Sequence, residues 1–240
     1  PVVLDGFESF EFSQYFPFHF HVLVGARSHF FYLFTDSPLR RKGRMTPHQL
    51  KRREQLEREL GRPDPRSIQK EVAQLLRLAV PGSSQLTLFS DDHPAYPRAF
   101  RALGHLQIRH HVTSSRERRT TSNPLFPVNL LDLLVRHGSA NHKRETIAFS
   151  KRRQAAIERL ALLQVWRNFI KRFSERKLRS ETPAQRVGLL GRARTVSEVL
   201  GRRLFPSQVA LPETLERYYR RTVKTPALGV NRTHRLRYAD

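Results

Sequence analysis

The first 35 residues hold three short runs of β-branched and aromatic side chains with no helical period between them. Pro1 to Phe7 reads as a strand in which Val2, Val3 and Leu4 run apolar and Asp5-Gly6 end the run. Phe18, Phe20 and Val22 alternate with His19, His21 and Leu23 in a second strand to Gly25, and the aromatic stretch Ser28 to Thr35 is a third. Gly25-Ala26-Arg27 is a turn between the last two. Strands joined this closely pair antiparallel, because a parallel neighbour needs a long crossover. A chain that opens so must bury at least one face of a sheet, and the rest of the sequence has to supply what covers it.

After a basic loop, Pro38 to Arg44, the period becomes helical. Thr46 caps a helix with Pro47 at its first position and Gly61 as its stop. Asp64 caps the next, with Pro65 first and Ile68, Val72, Leu75, Leu76 and Ala79 on one face to about Val80. Gln85 to Ser90 is a strand ending in Asp91-Asp92, Pro94 to Leu103 a helix stopped by Gly104, and Leu106 to Val112 a further strand. Thr113 to Asn123 is a polar, basic loop. From Pro127 to about Arg176 the period is helical, broken at Gly138-Ser139, and Trp166 falls at a core position. Beyond Arg179, Pro and Gly punctuate short segments, with a capping box over Thr195 to Glu198. This order describes an α/β fold, a ribonuclease H-like mixed five-stranded sheet with flanking helices and a basic C-terminal appendage. The expected division is a core over 1–178, with a helical insert at about 46–80, and the appendage over 179–240.

The chain carries 44 Lys and Arg against 21 Asp and Glu, a formal charge of +23. That excludes an ordinary neutral metabolic enzyme and calls for a polyanionic partner. Nucleic acid fits best, since each phosphate contact releases a counterion. The cations gather at Arg40 to Arg44, Lys51 to Arg53, Arg116 to Arg119, Lys143-Arg144, Lys151 to Arg153 and Arg217 to Lys224. Clusters spread through a folded pattern suggest grooves for a backbone rather than one basic tail. The absence of Cys excludes disulfides, thiolate zinc sites and thiol catalysis. No apolar run reaches the ~18 residues of a membrane span. The 11 His stand without Cys or a His-x-Glu pairing, which argues against zinc; they read as strand-face, packing or phosphate-contacting residues. His93 lies two residues from Asp91. The chain opens without Met, which suggests a fragment or a processed product.

On so basic a chain each well-placed acid is informative. Asp5 lies in the first strand, where apolar neighbours bury it unless it faces a site; before Gly6 it equally ends a strand in a turn. Asp91 ends the fourth strand, and Asp92, more than Asp91, suits a helix cap. Asp132 shares a helical face with Asn129 and Arg136, and is equally a plain partner for Arg136, worth ~0.3–0.5 kcal/mol. In this order the acids converge beyond the carboxyl edge of a sheet, where α/β folds build sites. Phosphoryl transfer on DNA needs such a group. Carboxylate oxygens hold two hard cations, Mg²⁺ or Mn²⁺, ~3.5–4 Å apart, which activate the attacking oxygen and stabilise the leaving one.

Three stretches carry a family resemblance. They are Val24 to Ser28 leading into Leu33, Phe34 and Asp36; Ser90-Asp91-Asp92-His93-Pro94-Ala95-Tyr96; and Arg144 to Lys151, with Thr146-Ile147-Ala148-Phe149-Ser150-Lys151 inside it. In these, over Val2 to Phe173, the chain resembles the DDE transposases of bacterial insertion sequences, most closely the family typified by insertion sequence one. The resemblance implies a ribonuclease H-like catalytic core that cuts transposon ends and joins them to target DNA, with Asp5 and Asp91 as its first two acids. The family's third acid is Glu, with Asn three residues on and Arg four beyond. Here Asn129, Asp132 and Arg136 exchange acid and amide, one helical turn or ~5 Å apart on the same face. Asp132 is expected to be the third acid, with Glu145 in reserve. Implied partners are DNA, Mg²⁺ or Mn²⁺ and further copies of the chain, in the bacterial cytoplasm at the nucleoid and away from membrane. Such transposases carry an upstream DNA-reading unit, and only four residues precede Asp5, so end recognition is expected from the tail or from a missing segment. DNA contacts are expected from Arg40, Arg41, Lys42, Arg44, Arg116, Arg118, Arg119, Arg136, Lys143, Arg144, Lys151 and Arg152. The alternative is a noncatalytic nucleic-acid-binding protein or an inactive transposase remnant, in which the acids are structural and lie apart.

Overall fold

The computed structural model describes residues 1–240 except 83–84, 144–147, 175, 178, 203–208, 224 and 227–240. Arg144, Glu145 and Lys224 therefore lie outside the described residues, as does half of the Arg144 to Lys151 stretch.

The described strands are β1 (Val2–Phe10), β2 (Pro17–Gly25), β3 (Phe31–Pro38), β4 (Gln85–Ser90) and β5 (Gln107–Val112). They form one sheet in the order β3-β2-β1-β4-β5. β2 runs antiparallel to β1 and β3, while β4 and β5 run parallel to β1. The order and senses are those of a ribonuclease H-like domain. Two differences from the sequence reading matter. β1 continues through Asp5-Gly6 to Phe10, because the Phe7 and Ser9 positions still pack inward. β3 begins at Phe31, since the turn from β2 takes five residues and closes with Gly25 N–H donating to the Phe30 carbonyl (2.9 Å).

Helices α1 (Pro47–Leu60) and α2 (Ser67–Ala79) join β3 to β4. Thr46 and Gln49 form a reciprocal capping box at the start of α1. Asp64 does not cap α2 at Pro65; its Oδ1 accepts from Arg66 N–H in a turn, and the helix starts at Ser67. α3 (Ala95–Arg101) crosses from β4 to β5. The predicted long helical run is divided further than Gly138-Ser139 suggested. α4 (Phe126–Gly138) ends there, a 3-10 turn covers Ala140–His142, and α5 (Arg153–Val165) passes into a π-helical turn, Trp166–Ile170. Trp166 is not core: it is 41% exposed.

The sheet separates two apolar layers. On one face Val3, Phe7, Phe18, Phe20 and Phe34 pack against Leu131 and Val135 of α4 and Ile157 and Leu160 of α5. On the other, Leu4, Leu23 and Leu88 meet Val72, Leu75 and Leu76 of α2 and Tyr96 and Ala99 of α3. β2 is covered on both faces, Phe18, Phe20, Val22 and Val24 entering the first layer and Leu23 the second. Short helices α6 (Pro183–Arg186), α7 (Val196–Leu200) and α8 (Glu213–Tyr219) follow, and the capping box of Thr195 and Glu198 opens α7. From the segment read as an appendage, Tyr218 and Val223 join the first core. Tyr218 stacks on Phe34 and donates its hydroxyl to Asp36 Oδ1 (2.6 Å).

Candidate active site

Strand alternation fixes where Asp5 points. Val3 and Phe7 enter the α4–α5 layer and Leu4 the opposite one, so Asp5 lies on the α4 side. On β4, Phe89 packs against that same layer and Leu88 against the other, which puts Asp91 on the α4 side as well. β1 and β4 are parallel with Leu4 opposite Ser90. The next residue on each chain is an aspartate, and neighbouring strands stand ~4.8 Å apart. α4 packs across β1 and β2 and carries Asp132 to the same place. Asp5, Asn129, Asp132 and Arg136 line one cleft of about 780 Å³, with Arg119 and Lys143 also on its wall.

The carboxylates sense one another. Burial pushes the Asp5 carboxyl up to about 7; Gly6 N–H, hydrogen-bonded to it at 2.7 Å, works against that shift. Asp91 and Asp132 raise it further by like-charge repulsion, and Arg119 lowers it. Tyr96, buried beneath, is held above the ordinary phenol range by burial and then by Asp5 and Asp91. Asp91 Oδ1 accepts from His93 N–H (3.1 Å), so Asp91 rather than Asp92 organises the turn into α3, and α3 has no side-chain cap. Asp132 is held by Arg136 Nε at 2.9 and 3.1 Å, while Arg136 Nη1 donates to the His142 carbonyl. The helix-face pairing read from the sequence is thus made.

Among the described residues, no group of three His, Asp or Glu is arranged to hold a metal ion. Asp5 and Asp91 still offer the donors Mg²⁺ takes, hard oxygens from one or two carboxylates with room for water. A buried carboxyl raised by its like-charged neighbours is also the condition that a divalent cation relieves.

His19 closes the cleft beside Asp5 and was not singled out as a site residue by the sequence. Its ring lies over Gly6, where a Cβ would collide with that ring and with the Phe20 carbonyl. Burial lowers the His19 imidazole to about 4, with His93 and Arg136 adding to the effect, so it is neutral at pH 7. Its Nδ1 lies 3.3 Å from His21 Nδ1, and His21 Nε2 contacts Ser37 Oγ at 2.8 Å.

No protein-family model and no curated protein matches the chain. Solved structures do. One is the crystal structure of the catalytic core domain of BIV integrase, 16% identical over 77% of this chain and 90% of that one, with a TM-score of 0.40. Another is the cryoEM structure of a simian T-cell lymphotropic virus intasome in complex with PP2A regulatory subunit B56 gamma. It is 14% identical over 77% of this chain and 52% of that one, with a TM-score of 0.38. At these scores the likeness adds nothing to what the strand order already says, and neither is a bacterial insertion-sequence transposase.

The expected DNA contacts divide into free and engaged cations. Lys42, Arg44, Arg116, Arg118, Arg119, Lys143 and Arg152 are exposed. Lys42 lies near enough to His93 to lower its imidazole, burial being the larger cause, and Arg119 near enough to act on Asp5. The loops after β3 and β5 therefore bring cations to the acid cluster. Arg40 is engaged by Glu57, Arg136 by Asp132, and Arg41 lies over the Tyr15 ring at 5.0 Å. Lys151 sits on the Phe149 ring at 3.7 Å.

Proposed function

We propose that the chain is a DNA strand-cleaving and strand-joining enzyme, the catalytic core of an insertion-element transposase or an integrase-like relative. One observation carries this reading: Asp5 and Asp132 line one cleft among cations, and the buried Asp5 feels the like charge of both Asp132 and Asp91, from the end of the neighbouring parallel strand. On a chain of charge +23, most acids lower their energy by pairing with Arg or Lys. Asp5 has no such ion pair among the described contacts, and burial with like charge is the environment a catalytic carboxylate needs.

In this reading Asp5 and Asp91 hold Mg²⁺ or Mn²⁺, with Asp132 as third ligand once a DNA phosphate takes over the Arg136 guanidinium. The bound cation supplies positive charge to the scissile phosphate and acidifies the attacking oxygen. Arg119 and Lys143 receive the flanking phosphates, and Asn129 offers an amide beside them. Neutral His19 keeps a cation from competing for the Asp5 carboxylate. DNA and a second copy of the chain are the partners.

The test is nicking and strand transfer of plasmid and branched oligonucleotide DNA by the full chain in Mg²⁺ or Mn²⁺. Asp5→Ala and Asp91→Ala should each abolish turnover with DNA affinity unchanged. Cation-dependent cleavage that persists in Asp5→Ala ends the assignment. One observation favours a second reading, a noncatalytic DNA-binding protein: Arg136 already neutralises Asp132. That reading expects no cation-dependent cleavage by the wild type and no effect of Asp132→Asn beyond stability.

A further inference from the structure

The turn joining β1 to β2, residues 11–16, has a hollow on each side. Phe10 and Gln14 face the Asp5 cleft. Glu11, Tyr15 and Phe16 face a second cavity of about 240 Å³, closed by the loop after β3, by α1 and by the start of α5. This second cavity is lined by guanidinium groups: Arg40, Arg41, Arg53, Arg62 and Arg153, against Glu11 and Glu57.

The hydrogen bonds do not exhaust these donors. Arg40 takes both oxygens of Glu57, at 2.7 and 2.9 Å. Arg53 reaches the same carboxylate only at 3.5 Å, and its Nη1 donates to the Arg41 carbonyl. Arg153 stands 3.3 Å from Asp36 Oδ2, whose carboxyl already accepts from Tyr218. Among the described residues Arg41 Nη1, Arg53 Nε and Arg153 Nε are buried without a hydrogen-bond partner, the last two being the atoms that stand 3.5 and 3.3 Å from Glu57 and Asp36. The side chains of Arg53 and Arg153 are only 12% and 16% exposed. Buried donors in native proteins are almost always satisfied, and an unsatisfied set marks a place where water or an ion belongs. Three guanidinium nitrogens short of a hydrogen bond, from three separate elements and two of them only in long ion pairs, suit an anion with several oxygens. The α5 helix adds the positive end of its dipole, and Arg152 gives it no side-chain cap. Glu11 lines the cavity too, with Oε2 buried; burial raises its carboxyl, while Arg153 and Thr225 oppose that shift.

We propose that this arginine pocket binds a phosphate group through Arg41, Arg53 and Arg153. Guanidinium forks match phosphate oxygens in pairs, which a lysine cluster does not. The phosphate has two sources with the same chemistry. One is a backbone phosphate of a DNA strand that leaves the Asp5 cleft over the hairpin turn. From Asp5 to Glu11 the strand advances about 20 Å, a distance several nucleotides span. The other is a free phosphate compound. The DNA source rests on the function proposed above; the free-phosphate source does not.

The experiment uses the full chain, with pyrophosphate and a 30-base-pair duplex as probes and binding as the readout. Saturating pyrophosphate should raise the wild-type melting temperature by roughly 5 °C and compete with the duplex. Arg41→Gln and Arg53→Gln should each lose the pyrophosphate shift. Each should also weaken duplex binding about five- to tenfold at 0.1 M salt and reduce the slope of log K against log salt by about one. Loss of the pyrophosphate shift with duplex affinity unchanged keeps the pocket and assigns it the free compound. A wild type that neither melts higher with pyrophosphate nor releases duplex to it overturns the proposal, whatever the variants do. So do variants that melt cooperatively and bind both probes as the wild type does. Asp5→Asn should keep both binding effects, and a wild type that shows no cation-dependent cleavage but an intact pyrophosphate response counts against the catalytic reading alone.

Discussion

At the scale of single residues, Asp5 ties stability to the site. Burial holds its folded carboxyl up at about 7, well above the ordinary aspartate range near 4. A raised acid stabilises the fold fully below its unfolded pKa, and that contribution is lost as pH rises through the folded value. Wild-type stability should therefore fall between about pH 4 and pH 7 on account of Asp5. Buried His19 and His142, lowered to about 4, work the opposite way over pH 4 to 6.5, so the wild-type curve alone mixes the two. The difference between Asp5→Asn and wild type isolates the carboxyl. Asp5→Asn should melt roughly 5 °C higher at pH 8 and no higher at pH 4. Equal melting temperatures at pH 8 would mean that Asp5 is not buried among like charges. Gly6 is the second residue with a specific demand. Its neighbours leave no room for a side chain on the strand, so Gly6→Ala must move either β2 or the His19 ring. The expected cost is about 1–3 kcal/mol, read as a lower urea midpoint with an unchanged m-value.

At the scale of elements, the sequence carried what strand and helix periods carry. The aromatic alternation of β2, the capping box of α1 and the strand that delivers Asp91 are all visible as local patterns. Asp5 could be read as a strand end because its partners are distant: Val22 on β2 and, by register, the end of β4, far away in sequence. Helical period places Trp166 in the core, but it falls in the π-helical turn and is 41% exposed. The same turn aims Asn168 at the sheet. Asn168 accepts from Phe31 N–H (2.9 Å) and donates to the Phe31 carbonyl (2.8 Å), and Gln164 donates to the Tyr32 carbonyl. These amides stand in for a missing neighbour strand at the β3 edge, a role no periodicity encodes. Asn168→Leu should leave the buried Phe31 N–H unpaired, while the Phe31 carbonyl keeps Gln164 Nε2 (3.1 Å), and cost about 1–3 kcal/mol, with accelerated amide exchange confined to β3. Exchange unchanged at Phe31 would show that the edge is closed by something else.

At the scale of the whole molecule, the question is whether the surplus charge of +23 acts as a diffuse field or as a track. A diffuse field makes every exposed cation equivalent. A track makes a few cations carry the binding, because only those that neutralise a phosphate release a counterion. The structure separates the two cases. Lys42, from the loop after β3, comes within electrostatic reach of His93, two residues from Asp91, and Arg119, from the loop after β5, of Asp5, two connections far apart in sequence. Arg77 and Arg101 are exposed as well, but they belong to α2 and α3, which pack on the opposite face of the sheet. Replacing Lys42 and Arg119 together by Gln removes the same net charge as replacing Arg77 and Arg101 together. With a track, the first pair lowers the salt slope of duplex binding by about two and the affinity at 0.1 M salt about a hundredfold, while the second changes the slope by less than about half a unit. Equal losses from both pairs, measured by fluorescence anisotropy from 0.05 to about 0.3 M salt, would mean that the cations act only through their sum. The acids would then face a cleft that no DNA strand is held against.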